Sequence, residues 1–284
     1  MSNYQFGYCT DIGIRKNVNQ DSFMIREAVF GECEVLLAVV CDGMGGLSKG
    51  ELASASIVRA FDEWFRNELP STGIDFEQIQ AQWNDLVVRG NQKICSYGEA
   101  NGIQLGTTLT GLLIVSNDSG LQYFIVHVGD SRCYQMTEEN GANQISCLTE
   151  DQTLVAREIK RGNMTPEQAE NDPRRSVLLQ CIGASNTVEP AFYYGCSYNN
   201  DQSQELGQAT IRLDMASAYH KIKGFLLCSD GFRHVITEEE MLFELQSMGD
   251  WSQESINQSL RNLVDLNMER MESDNITALF ICCG

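Results

Sequence analysis

The sequence has only 4 prolines in 284 residues, and its 20 Lys and Arg are outnumbered by 39 Asp and Glu. Each scarcity excludes something. With few prolines, no low-complexity linker and no internal repeat, nothing marks a hinge, so residues 1–284 are expected to form a single catalytic-size domain with a substantial core. A formal net charge of −19 disfavours nucleic acid and anionic membranes as partners. No apolar run approaches the roughly 18 residues of a membrane span. The opening "MSNYQFGYCTDIG" lacks the basic-then-apolar layout of a secretory signal. No C-x-x-C pair occurs among the 11 cysteines, and no G-x-x-x-x-G-K-[ST] phosphate loop is present. A cytoplasmic monomer is the default expectation.

What is present is a set of short apolar runs: "VLLAVVC" (35–41), "LTGLLIV" (109–115), "LQYFIVHV" (121–128), "GFLLCS" (224–229) and "ITALFICC" (276–283). Their length and bounding turn residues predict strands buried on at least one face. Cys41, Cys181, Cys228, Cys282 and Cys283 lie in such surroundings and read as small buried hydrophobes, not as disulfides or zinc ligands. Helical spacing of Ala53, Ile57, Ala60, Phe61 and Trp64 predicts one helix, with a capping box from Ser48 to Glu51. A second starts near Phe76 and carries Ile79, Trp83, Leu86, Val87 and Ile94. Thr237 and Glu240 predict another capping box, and a last helix is expected over about 252–271. Strands in groups, with helices in groups between them, point to an α+β fold with antiparallel sheets. Segments 152–176 and 196–208 read as excursions.

Four of the runs meet an aspartate. Asp42, Asp130 and Asp230 each follow a run, whereas Asp274 precedes one. If the strand of Asp274 runs opposite to the others, all four carboxylates gather at one edge. They would repel one another by several kcal/mol unless a cation sat among them. Carboxylate and carbonyl donors favour Mg²⁺ or Mn²⁺ over zinc or copper. Gly43 would let a main-chain carbonyl approach such an ion, and Gly45 and Gly46 would permit the turn that follows. Singly, each Asp-Gly or Gly-Asp pair reads as an ordinary turn; their joint placement against apolar runs carries the argument.

The set "NQDS" (19–22), "VCDGMGG" (40–46), "GTTLTGLLI" (106–114), "VGDSRCY" (128–134), "LTEDQTLV" (148–155), "LLCSDGF" (226–232) and "DNITALFI" (274–281) resembles the metal-dependent Ser/Thr protein phosphatases of type 2C. "DGMGG" and the segment "LVAREIKRGNMTPEQAENDPRR" resemble the bacterial branch. The resemblance implies an α/β/β/α sandwich of two central antiparallel β-sheets flanked by helices, with a flap near 152–176. It also implies removal of phosphate from phosphoserine and phosphothreonine. Asp42, Asp230 and Asp274 would form the catalytic core, with Asp42 bridging two Mn²⁺ or Mg²⁺ ions and the Gly43 carbonyl completing one shell. Asp130, with Asp230, matches the position of a third ion. Water activated between the ions would attack phosphorus with no covalent phosphoenzyme.

Departures from the pattern matter. Lys16 stands where the family carries a phosphate-gripping arginine, with Arg15 beside it; lysine supplies charge but no bidentate fork. Gln20 and Asp21 are expected to support the metal shell from behind. Gln152 replaces a histidine and reads as a structural residue at the base of the flap. Met44 occupies the place of a histidine general acid in animal relatives. His127, His220 and His234 read as structural, and Thr107 and Thr108 as sheet packing. Arg174 and Arg175 are a docking hypothesis for the flap. Implied partners are phosphorylated proteins and a cognate Ser/Thr kinase. A weakly active relative that only captures phosphoproteins, and a divalent-metal hydrolase acting on nucleic acid or nucleotides, are the alternatives.

Overall fold

The computed structural model describes residues 4–44, 49–198 and 221–283. Two five-stranded antiparallel sheets make its centre. One has the order β1 (Tyr4–Asp11), β10 (Ile276–Cys283), β9 (Lys221–Cys228), β6 (Arg132–Glu139), β7 (Ala142–Cys147). The other runs β2 (Ser22–Phe30), β3 (Cys33–Cys41), β4 (Leu109–Asn117), β5 (Gly120–Val128), β8 (Ala191–Tyr198). Helices α1 (Gly50–Asn67) and α3 (Phe76–Asn101), joined by the short α2 (Leu69–Thr72), cover the second sheet. Helices α7 (Glu238–Gln246) and α8 (Gln253–Glu269) cover the first. This is the expected four-layer sandwich.

The layering explains why the central strands read as unbroken apolar runs. Along β3, Leu36, Ala38 and Val40 pack between the sheets. Val35, Leu37 and Val39 pack outward with Phe61, Trp64 and Trp83 of α1 and α3. A strand buried on both faces needs apolar residues at every position. The same holds for β10, where Leu279, Ile281 and Cys283 face the other sheet and Ala278, Phe280 and Cys282 face α8. Cys41, Cys181, Cys228, Cys282 and Cys283 are buried thiols, as expected.

Five strands were not expected. Strand β7, "ANQISC", alternates exposed and half-buried residues at a sheet edge, and β2 is buried at Met24 alone. Neither therefore shows an apolar run. The helix expected over 252–271 is α8, capped by Ser252, and the Thr237–Glu240 capping box opens α7 as predicted. Helix α1 differs: it begins at Gly50 behind Lys49, which sits at φ 63° and gives no side-chain cap. Ser48 lies outside the described residues, as do Gly45, Gly46, His220 and most of segment 196–208. The excursion at 152–176 folds as two short helices, α4 (Leu154–Lys160) and α5 (Pro166–Glu170), each with a threonine N-cap. Among the described residues no helix is long and apolar enough to cross a membrane.

Candidate metal centre

Antiparallel pairing gathers the aspartates. Strands β9 and β10 run opposite ways with Cys228 opposite Ala278, so the end of β9 and the start of β10 share one edge. Asp230 opens the one-turn helix α6 (Asp230–Arg233) just past β9, and Asp274 stands just before β10. In the other sheet β3 and β5 both flank β4 antiparallel, which carries Asp42 and Asp130 to a common end.

The electrostatics show how close the carboxylates come. Burial, then the charges of Asp21, Asp230, Asp130 and Asp274, push the Asp42 carboxyl well above the usual range. Burial and Asp230 raise Asp130 to about 7, against the opposing pull of Arg233. Burial, with Asp230 and Asp274, likewise raises Asp21 to about 7. Asp230 goes the other way. Burial opposes its ionisation, but bonds from His234 and from the Asp42 carboxyl, with the Arg233 charge, hold it low. Burial and neighbouring groups together thus push Asp42 and Asp230 in opposite directions.

The main chain around Asp42 is braced on every side. Its N–H donates to Thr108 Oγ1 at 2.9 Å, and its carbonyl accepts from Thr107 Oγ1 and Thr108 N, both at 2.9 Å. Thr107 and Thr108, expected only to pack the sheet, therefore position Asp42. Gly43 donates to the Gln20 carbonyl at 3.1 Å. A Cβ on Gly43 would stand 2.5 Å from the carbonyl oxygens of Gln20 and Gly50, so glycine is required by close approach of α1. At Gly231 a Cβ would collide with the Asn275 carbonyl, which accounts for the glycine after Asp230.

The remaining expected residues fall around this cluster. Asp21 Oδ2 accepts from Ser229 Oγ at 2.8 Å, behind Asp230. Gln20 is buried, and its amide donates to Glu51 Oε2 at 3.2 Å. Gln152 brackets Gly129, the residue before Asp130: its N–H donates to the Gly129 carbonyl at 2.7 Å and its Oε1 accepts from Gly129 N at 2.8 Å. Lys16 Nζ lies 2.6 Å from Asp274 Oδ1, whereas Arg15 is exposed. Arg174 is held by Asp172, Nη2 to Oδ2 2.7 Å. Buried Asn275 is a residue that sequence reasoning passed over. It accepts from Gln20 N and donates to the carbonyls of Ile12 and Val18, pinning the loop that carries Arg15 and Lys16.

Among the described residues no three acidic, histidine or cysteine side chains are already disposed as ligands around one point. Asp274 turns to Lys16, and Asp230 to His234 and Asp42. The donor set nonetheless fits a hard divalent cation. It is all oxygen, burial and four neighbouring carboxylates push Asp42 upward, and Asp230 Oδ1 and Asp21 Oδ1 are buried without hydrogen-bond partners.

Fold and carboxylate cluster together point to a class of metal-dependent hydrolases, and comparison with known proteins narrows it. The family model for protein phosphatase 2C matches residues 14–265. The chain belongs to this family. It is 28% identical over 272 residues to the serine/threonine protein phosphatase PstP of Mycobacterium tuberculosis, covering 95% of this chain but 43% of that protein. It thus spans less than half the length of that relative. Against the serine/threonine phosphatase stp of Listeria welshimeri it is 28% identical over 281 residues, covering 96% and 93%. The solved catalytic domain of PstP in complex with two manganese ions superposes with a TM-score of 0.68 at 24% identity, covering 98% of this chain and 97% of that one.

Proposed function

We propose that residues 1–284 form one catalytic domain that hydrolyses phosphoserine and phosphothreonine monoesters in proteins. The observation that carries this reading is the set of carboxylates from Asp42, Asp130, Asp230 and Asp274, delivered from four strand ends to one edge, with Asp42 and Asp130 raised by burial and by their acidic neighbours. Asp42, the Gly43 carbonyl, Asp230 and Asp274 would hold two Mn²⁺ or Mg²⁺ ions, and Asp130 with Asp230 would hold a third. When bound, such ions lower the pKa of water and neutralise charge on phosphoryl oxygens. This chain's own groups do the rest. Thr107, Thr108 and Gln20 fix Asp42 and Gly43; Ser229, the residue before Asp230, is tied to Asp21; Lys16 and Arg15 offer positive charge to the phosphate. An opposing Ser/Thr kinase is the expected partner, and a cytoplasmic monomer the expected state.

The Lys16–Asp274 ion pair favours a second reading, in which the site binds phosphoproteins but turns them over weakly. One experiment separates the two. Purified protein is given a phosphothreonine peptide with increasing Mn²⁺, beside Asp42→Asn. Metal-dependent release of phosphate, abolished in the variant, supports the phosphatase; peptide binding without release supports the second reading.

A further inference from the structure

Two side chains with no chemistry assigned to them join the aspartates of α6 and β10. The imidazole of His234 lies between two carboxylates, Nε2 3.2 Å from Asp230 Oδ2 and Nδ1 3.4 Å from Glu272 Oε2. Each ring nitrogen thus faces a carboxylate oxygen. Glu272 is buried, and its other oxygen accepts from the main-chain N–H groups of Ser273 at 2.7 Å and Asp274 at 2.9 Å. His234 stands four residues after Asp230 and so returns over the same side of that turn. One continuous path of polar contacts therefore runs Asp230, His234, Glu272, Asp274.

The path divides the two oxygens of Asp230. Oδ2 is held by the imidazole, whereas Oδ1 is buried with no hydrogen-bond partner. Glu272 holds the ring from its far side, so the imidazole is fixed against one oxygen of Asp230. Outer groups that orient metal ligands typically contribute about 10- to 100-fold in affinity.

The geometry points to His234 and Glu272 as a positioning pair that holds the Asp230 carboxylate and the Asp274 main chain ready for a divalent cation. This rests on Asp230 being a cation ligand. Their role is to position Asp230 and Asp274, not to act on the substrate.

The test is Mn²⁺ calorimetry on the whole chain, with circular dichroism as a check on folding. Combining His234→Leu with Glu272→Gln removes both contacts while keeping side chains of similar size. The Mn²⁺ Kd is expected to rise by about 10- to 100-fold. Glu272→Gln alone, which keeps the ring on Asp230, is expected to fall between that variant and wild type, and covers the case in which the double variant does not fold. A second readout is the ring ¹⁵N–H spectrum of the 3 histidines. Diamagnetic Mg²⁺ is expected to shift the His234 signals and leave those of His127 in place. Kd values within twofold of wild type in the folded variants, or His234 signals indifferent to Mg²⁺, overturn the inference. If wild type binds Mn²⁺ and the variants bind equally, only the pair falls; if wild type takes up no Mn²⁺, the metal centre falls with it.

Discussion

Lys16 and Asp274 form an ion pair, Nζ to Oδ1 2.6 Å, between the loop after β1 and the residue that precedes β10. Burial works against the ammonium, but its bond to Asp274 more than offsets this and raises the Lys16 pKa. The lysine thus spends its charge on a carboxylate that a metal would also claim.

Removing that competition is expected to strengthen metal binding. Both side chains are about one-third exposed, at 29% and 35%, so solvent screening limits the pair to about 0.5–1 kcal/mol. Lys16→Met should therefore lower the Mn²⁺ Kd by about two- to fivefold, measured calorimetrically without substrate. With substrate present, KM for a phosphopeptide should rise, because one of the two positive charges assigned to the phosphate is gone. An unchanged Kd would mean that Lys16 and the metal do not compete.

Asn275 supports the same loop from behind. Its side chain satisfies Gln20 N and the carbonyls of Ile12 and Val18, at 2.9, 2.9 and 3.1 Å. Leaving buried groups without partners costs about 1–3 kcal/mol each. Asn275→Ala is expected to lose about 3 kcal/mol in urea unfolding. Asn275→Asp, though nearly isosteric, should fare no better, since an ionised carboxylate facing two carbonyls can donate to neither. Recovery of stability in the aspartate variant would show that these bonds are unimportant.

A pH effect follows from His127, which is fully buried in β5 and pushed down to about 4 by that burial. Its Nε2 lies 3.1 Å from the Gly129 carbonyl and its Nδ1 3.0 Å from Thr110 Oγ1. An unfolded histidine titrates near 6.5. Between about pH 6.5 and 4 the unfolded chain binds a proton that the native chain refuses, so stability is complete above 6.5 and falls with pH. From pH 7 to 4.5 the loss is about 2 kcal/mol. Asp21 and Asp130, both raised to about 7, act in the opposite sense: they favour the native state at low pH and lose that contribution as pH rises towards 7. The His127 part is isolated by comparing wild type with His127→Gln across this range. The wild type should lose more; parallel pH profiles would contradict the assignment.

Much of this frame is legible in the sequence, for a physical reason. Strands β3 and β10 are buried on both faces, so their apolar runs announce both the strand and the aspartate that ends or begins it. Edge strand β7 and half-exposed β2 carry no such signal and were missed. The bracing residues are illegible for another reason. Asn275 bonds to Ile12 across 263 positions, and Thr107 reaches Asp42 across 65, so nothing local marks them. His234 could have been found, since it follows Asp230 by one helical turn. Glu272 acquires its role only once α6 and the approach to β10 are side by side.

The most direct measurement is anomalous diffraction from crystals of the whole chain soaked in Mn²⁺. Two manganese peaks are expected among the carboxylates of Asp42, Asp230 and Asp274, with the Gly43 carbonyl on one of them and Lys16 displaced from Asp274. Manganese bound elsewhere, or none within coordinating distance of Asp42, would contradict the account.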